Sequence, residues 1–217
     1  MPIFAAKGRL RREEGAVLAV LKVRGFEIHK NLLDPAQQTA LVDQVRNLLK
    51  VAPLFRPMTP YGKPMSVEMT SAGSFGWYAD QTGYRYATTH PNGQPWPAIP
   101  KLVLDIWTDV SGVERMPESC LINFYRETAK MGMHQDRDEA DLSMPVVSIS
   151  LGDSALFRIG NTTRGGKTES IWLDSGDVVI MGGDARLTYH GVDRIRFGSS
   201  SLLAKGGRIN LTLRVVT

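Results

Sequence analysis

The sequence predicts an α+β protein in which an N-terminal α/β lead-in packs on a C-terminal β-sandwich, jelly roll or barrel. Three observations carry this expectation. One well-signalled amphipathic helix lies within the first fifty residues. The segment after it is crowded with Pro, Gly and aromatic residues. Beyond Glu118 the apolar period shortens to that of strands, in short runs separated mostly by Gly, Asp, Asn or Pro. A chain of 217 residues without internal repeat or polar linker reads as a single domain over 1–217.

The elements follow in order. "AVLAVLKVRGFEI" (16–28) is rich in β-branched residues and reads as one or two strands. A helix follows, with Asp34 as N-cap and Pro35 at the first helical position. Leu41, Val42, Val45, Leu48 and Leu49 recur at helical spacing, and Pro53 stops the run. Residues 54–100 read as turn-rich, and a second helix is expected from about Ile99 through Val110. The later strands are expected at 119–125, 145–152, 155–160, 169–174, 177–183, 186–192 and 208–216. The extension thus ends at about residue 118 and the β core begins at about 119.

Composition excludes several classes. Hydrophobic residues make up 42% and charged ones 22%, as expected of a globular chain rather than a disordered one. One cysteine, Cys120, forbids an intramolecular disulfide and fits a reducing compartment. The start is too charged for a secretory signal, and no stretch has the length of a membrane span. A soluble cytoplasmic protein with no membrane partner is the expectation, with a monomer as the default. The net charge of +4 favours a polyanionic partner, and basic residues gather in "GRLRREE" and between Arg194 and Arg208.

The stretch "YRETAKMGMHQDRDEA" (125–140) holds His134 and Asp136 two residues apart. On extended backbone such residues project to one side, as two ligands of one metal ion must. Two histidines and one carboxylate on one face leave open positions on a transition metal for oxygen chemistry. Of the four histidines, His29 lies in the N-terminal region and His90 in a Pro/Gly turn, so His190, in "RLTYHG", is the natural third ligand. The flanking charges, "RETAK" and "DEA", read as a solvated loop. By itself H-x-D is a weak signal.

The signal that raises it is "RINLTLR" (208–214). In a strand, Arg208, Asn210, Thr212 and Arg214 share one face and Ile209, Leu211 and Leu213 the other. Two guanidinium groups in such a row are costly to bury unless anions meet them, and a dicarboxylate suits because arginine binds carboxylates in bidentate fashion.

Together with "TPYGKPMSVEMT", "GWYADQTGYRY", "PWPAIP", "CLINFY", "HQDRDE", "VSISLG", "GDVVIMGG" and "YHG", these motifs resemble the AlkB family of iron(II)- and 2-oxoglutarate-dependent nucleic-acid dealkylases, its bacterial members above all. The resemblance spans most of the chain and is weakest in the first forty residues. It implies a double-stranded β-helix (jelly-roll) core with an N-terminal nucleotide-recognition extension that carries a substrate lid. It implies iron(II) on His134, Asp136 and His190, and 2-oxoglutarate on Asn123, Tyr125, Arg208, Asn210 and Arg214. Which arginine meets which carboxylate stays open. Trp77, Tyr84, Arg85, Tyr86, Asp138 and Arg164 correspond to the side that holds the flipped base, where aromatic stacking returns about 1–3 kcal/mol. A carboxylate at Asp138 also suits a cationic methylated base.

The implied activity, with O2 as co-substrate, is oxidative demethylation of N-methylated bases such as 1-methyladenine and 3-methylcytosine in alkylated DNA, single-stranded DNA preferred and RNA possible. Formaldehyde and succinate are released, and no protein general base is assigned. Lys63 and Arg158 depart from the family pattern and bear on substrate range. Three other readings compete: the same oxygenase chemistry on RNA, protein or a small molecule; a non-catalytic β-sandwich that binds nucleic acid; and a zinc hydrolase, which lacks an obvious general-base Glu beside the ligands. Cupin-like binders, by resemblance, show H-x-H rather than H-x-D.

Overall fold

The computed structural model describes residues 20–59 and 61–217. Helix α1 (Pro35–Leu48) begins as its sequence dictates. Gln37 N donates to Asp34 Oδ1 at 2.8 Å and Asp34 N donates to Gln37 Oε1 at 2.9 Å, a reciprocal capping box with Pro35 at its first position. Its buried stripe is Leu41, Val42, Val45 and Leu48. Helix α2 (Lys101–Val110) starts two residues later than expected, because Pro100 serves as its N-cap. It buries Val103, Ile106 and Trp107.

The strands are β1 (Val20–Val23), β2 (Phe26–His29), β3 (Glu68–Gly73), β4 (Gly76–Asp80), β5 (Gly83–Ala87), β6 (Ser119–Tyr125), β7 (Met131–His134), β8 (Val146–Gly152), β9 (Ser154–Ile159), β10 (Glu169–Leu173), β11 (Val178–Met181), β12 (His190–Arg196) and β13 (Arg208–Arg214). Seven form one sheet in the order β1-β2-β11-β8-β13-β6-β3, four form a second in the order β10-β9-β12-β7, and β4–β5 is a separate hairpin. All pairings are antiparallel, and the two larger sheets face each other as a jelly roll. Strands β1 and β2 join through a two-residue turn, Arg24 (φ 48) and Gly25 (φ 83), whose left-handed backbone matches the twist of the strands it connects.

Alternation along each strand sorts two cores. Ile122 of β6, Ile149 of β8, Val178 and Ile180 of β11, and Ile209, Leu211 and Leu213 of β13 pack outward on α1 and α2. The opposite faces, with Leu121, Val179 and Met181, meet Phe157, Ile159 and Val192 of the second sheet. The polar face of β13 therefore points between the sheets.

Several expectations are corrected. Residues 54–100 hold three strands, not only turns, and β7 is a strand where a loop was expected. Residues 186–189 are not strand: a 3-10 turn, Gly183–Ala185, leads into them, and β12 begins at His190 instead of ending near it. The chain stays turned there because Arg186 N and Thr188 N donate to Gly183 O and Ala185 O. Strands β1, β2 and β3 belong to the seven-stranded sheet, so a boundary near residue 118 runs through that sheet. The basic "GRLRREE" and residues 16–19 lie outside the described residues. No described helix is long and apolar enough to cross a membrane.

Candidate active site

His134 ends β7 and His190 begins β12, directly opposite it in the register. Their ring centroids lie 4.6 Å apart. Each ring is oriented by its own backbone: Nδ1 of His134 lies 2.9 Å from Gly132 O and Nδ1 of His190 lies 3.0 Å from Thr188 O. A carbonyl can only accept, so Nδ1 carries the hydrogen in both rings and Nε2 is left with a lone pair for a metal. Asp136, just past β7, completes the set, and one ligand atom from each residue lies within 4.8 Å of the others. Burial, with His134 adding to it, pushes His190 down to about 4, which keeps it neutral and ready to ligate. Burial works to raise the Asp136 carboxyl, but Arg214 and the two histidines hold it well below the usual range.

Beside this triad runs the polar face of β13. Arg214 Nη2 donates to Asp136 Oδ2 at 2.9 Å, and its Nε lies 3.3 Å from Glu139 Oε1. At the other end, Arg208 Nη2 donates to Ser150 Oγ at 2.7 Å, and Nη1 reaches the carbonyls of Asp153 and Leu173 at 3.4 Å. Between them Asn210 Nδ2 donates to Ser148 Oγ and its Oδ1 accepts from Thr212. Asn123 sits opposite Asn210 and Tyr125 opposite Arg208 across the β6–β13 pair. Three buried polar atoms of this row have no partner: Asn123 Oδ1, Arg208 Nε and Arg214 Nη1. Buried groups of this kind are rarely left unpaired.

Triad and row line one cavity of about 590 Å³. The β4–β5 hairpin forms its outer wall. Trp77 stacks on Tyr84 (5.4 Å between centroids, 20° between planes), and Trp77 Nε1 donates to Asp138 Oδ2 at 3.0 Å. The hairpin enters flush against Trp96 at Gly76, where a Cβ would lie 2.2 Å from that indole. Arg164 lines the cavity from the loop after β9, with its guanidinium 5.5 Å from the Tyr189 ring.

A model of the 2OG-Fe(II) oxygenase superfamily matches residues 25–214. The chain belongs to this superfamily. It is 55% identical over 193 residues to an alpha-ketoglutarate-dependent dioxygenase AlkB homolog of Caulobacter vibrioides, covering 88% of both chains. It is 37% identical over 179 residues to the alpha-ketoglutarate-dependent dioxygenase AlkB of Escherichia coli, covering 80% of this chain and 82% of that one. The solved structure of OsALKBH1 superposes with a TM-score of 0.80 at 30% identity, over 91% of this chain and all of that one. The oxygenase uses iron(II), 2-oxoglutarate and O2. Its donor set fits iron, and the unpartnered atoms of Asn123, Arg208 and Arg214 fit a small dicarboxylate beside it.

Of the residues expected from sequence, thirteen line the cavity of the oxygenase and one does not. Arg85 lies between Tyr84 and Tyr86 on a strand, so alternation puts it on the opposite face. There it bonds Asp80 through both carboxylate oxygens (3.0 and 2.6 Å) and covers the Tyr78 ring at 4.8 Å. Glu139, expected in a solvated loop, is buried instead and receives Arg186 Nη2 at 2.8 Å and the Tyr86 hydroxyl. Sequence reasoning missed Arg186, which also donates to Asp136 O and Met144 O. Its signal was an arginine four residues before the metal histidine, in "GDARLTYH". Gln135, between two ligands, was missed as well. It donates to Thr162 O and Leu187 O, tying the Arg164 loop and the approach to His190 to the metal segment.

Proposed function

We propose that this oxygenase repairs alkylated nucleic acid by oxidative demethylation of N-methylated bases such as 1-methyladenine and 3-methylcytosine. DNA is the main substrate, with single strands preferred and RNA accepted. One observation carries the reading. The cavity that holds the triad and the arginine row is walled on its outer side by a stacked Trp77–Tyr84 pair with the Asp138 carboxylate on the indole. A flipped methylated base is flat and cationic, and a stacking wall edged by a carboxylate suits both properties. Names of further relatives agree in class. A DNA N(6)-methyladenine demethylase of Arabidopsis thaliana is 34% identical, and a tRNA demethylase of Schizosaccharomyces pombe is 30% identical over a shorter stretch.

His134, Asp136 and His190 would hold the iron, which with 2-oxoglutarate and O2 supplies oxidation of the N-methyl group, giving succinate, carbon dioxide and, from the base, formaldehyde. Arg208 takes the far carboxylate of 2-oxoglutarate, helped by Tyr125, while Asn123, Asn210 and Arg214 align the end nearer the metal. Trp77 and Tyr84 seat the base, Asp138 favours its positive charge, and Arg164 and Tyr86 flank the entrance. Both oxygens of Glu139 are engaged by Arg186 and by Tyr86 with Arg214, so Glu139 does not stand ready as a hydrolase base. Cys120 is buried and its thiol is pushed up to about 12 by that burial, so it is not a reactive thiol; a cytoplasmic monomer of one domain is part of the proposal.

The test is anaerobic addition of iron(II) and 2-oxoglutarate, which is expected to give a visible charge-transfer band that His134→Ala lacks. Oxygen and an oligonucleotide carrying 1-methyladenine are then expected to yield formaldehyde, faster from single than from double strands. A band without formaldehyde would sink the demethylase reading and spare the oxygenase.

A further inference from the structure

The β4–β5 hairpin stands outside both larger sheets, and a lone two-stranded hairpin is marginal in water. Its hold on the cavity depends on what its inner face touches. Trp77 and Tyr86 are register partners on that face. Trp77 bonds Asp138 and Tyr86 bonds Glu139, so both grip the segment just past the metal aspartate.

The Tyr86 contact leads further inward. Its hydroxyl donates to Glu139 Oε1, the same oxygen that lies 3.3 Å from Arg214 Nε. Arg214 in turn donates to Asp136 Oδ2 at the shorter distance of 2.9 Å. Glu139 is 7% exposed, Asp136 9% and Arg214 6%, so these groups settle their charges among themselves with little help from water. Arg186 cannot take over from Tyr86. Its Nη2 is on Glu139 Oε2, while Nε and Nη1 are bound to the carbonyls of Met144 and Asp136.

We propose that Tyr86 and Glu139 couple the seating of the hairpin to the grip of Arg214 on Asp136 and on 2-oxoglutarate, a reading that rests on the function proposed above. With the hairpin down, the tyrosine satisfies Glu139 Oε1 and leaves Arg214 to Asp136 and the co-substrate. With the hairpin lifted, the same buried oxygen loses its donor. Arg214 Nε, already 3.3 Å away, is then the one described donor left to that oxygen, and this draws Arg214 toward Glu139 and away from the metal side. Tyr86 and Glu139 are positioning residues in this scheme. Such a link is reciprocal: whatever holds the hairpin down tightens 2-oxoglutarate, and 2-oxoglutarate steadies the hairpin by the same factor.

The experiment measures 2-oxoglutarate dissociation from the iron(II) protein without oxygen, by the visible band, with and without a saturating oligonucleotide carrying 1-methyladenine. The wild type is expected to bind 2-oxoglutarate about fivefold or more tightly when the oligonucleotide is present. In Tyr86→Phe the factor is expected to fall to about one, and Glu139→Gln, which removes the charge that draws Arg214, is expected to lose it too. Tyr78→Phe deletes a hydroxyl from the opposite face of the same hairpin and keeps the wild-type factor. Hydrogen exchange of residues 76–87 gives a second readout that needs no oligonucleotide: 2-oxoglutarate slows it in the wild type and not in Tyr86→Phe. Equal factors, or equal protection, in wild type and Tyr86→Phe would overturn the coupling. Failure of the demethylase reading looks different: no variant binds the oligonucleotide, while the exchange difference persists.

Discussion

Arg208 and Arg214 stand at opposite ends of one strand face, both buried, and their surroundings differ in kind. Arg214 has carboxylates at 2.9 and 3.3 Å. Burial opposes its charge, but Asp136, Tyr86 and Glu139 hold it well above the usual range. Among the described residues Arg208 touches a hydroxyl and two carbonyls but no carboxylate oxygen within salt-bridge distance, and burial pushes it down to about 10. The protein has already neutralised one guanidinium and left the other waiting. A buried cation without a counter-charge is expensive. The end of β13 remote from the metal is therefore where an anionic ligand gains most, and the end beside the metal serves chiefly to set Asp136.

That contrast can be broken by substitution. Arg214→Met strands the buried Asp136 carboxylate and leaves Glu139 to Arg186 and Tyr86, and removing one partner of a buried pair costs about 3–5 kcal/mol. Urea unfolding of the apoprotein is the measurement, and a loss under 1 kcal/mol would show that Arg214 is not the counter-charge. Arg208→Met strands no carboxylate, so apoprotein stability is expected to change by about 1 kcal/mol or less, whereas 2-oxoglutarate affinity falls by about 2–5 kcal/mol. Isothermal titration separates these effects. Equal destabilisation by the two methionines would erase the distinction.

Smaller changes sharpen it. Arg208→Lys keeps the charge and loses the planar fork, and about a tenfold weaker 2-oxoglutarate complex is expected by the same titration. Thr212→Val removes only the 2.9 Å donor to Asn210 Oδ1, with a cost near 1 kcal/mol in stability and a few-fold effect on 2-oxoglutarate. The smallest effect is with pH. Arg208, even pushed down to about 10, is about nine-tenths protonated at pH 9. As a base whose folded value is lowered, it gains stability from its own titration only as pH rises past about 10, outside this window. The dissociation constant of 2-oxoglutarate is expected to stay flat from pH 7 to 9. A steep rise over that range would mean that a group other than Arg208 carries the interaction.

The division between what residues announce and what packing adds follows spacing. Helix α1 was readable to its first residue because capping and a 3.6-residue stripe are local. The β13 row was readable because a two-residue period needs only the strand itself. Strands β4 and β5 were hidden among glycines and aromatics, since a short hairpin whose inner face lines a cavity has no apolar alternation to betray it. Arg85 was misplaced with Tyr84 and Tyr86 for the same reason: without the strand there was no alternation to apply. Glu139 and Arg186 escaped because a charge in "DEA" or before "LTYH" looks solvated until its partner is known.

By itself the chain's sequence determined the His134–Asp136 pair, the arginine row and the α+β class, because each is written in residues a few positions apart or in their strand period, and His190 followed as the remaining candidate among four histidines. Only the tertiary structure decided which arginine is spent on Asp136 and Glu139 and which is left for an anion. That outcome depends on distances between segments 35 to 78 residues apart in sequence, where burial, not composition, sets the balance of charge.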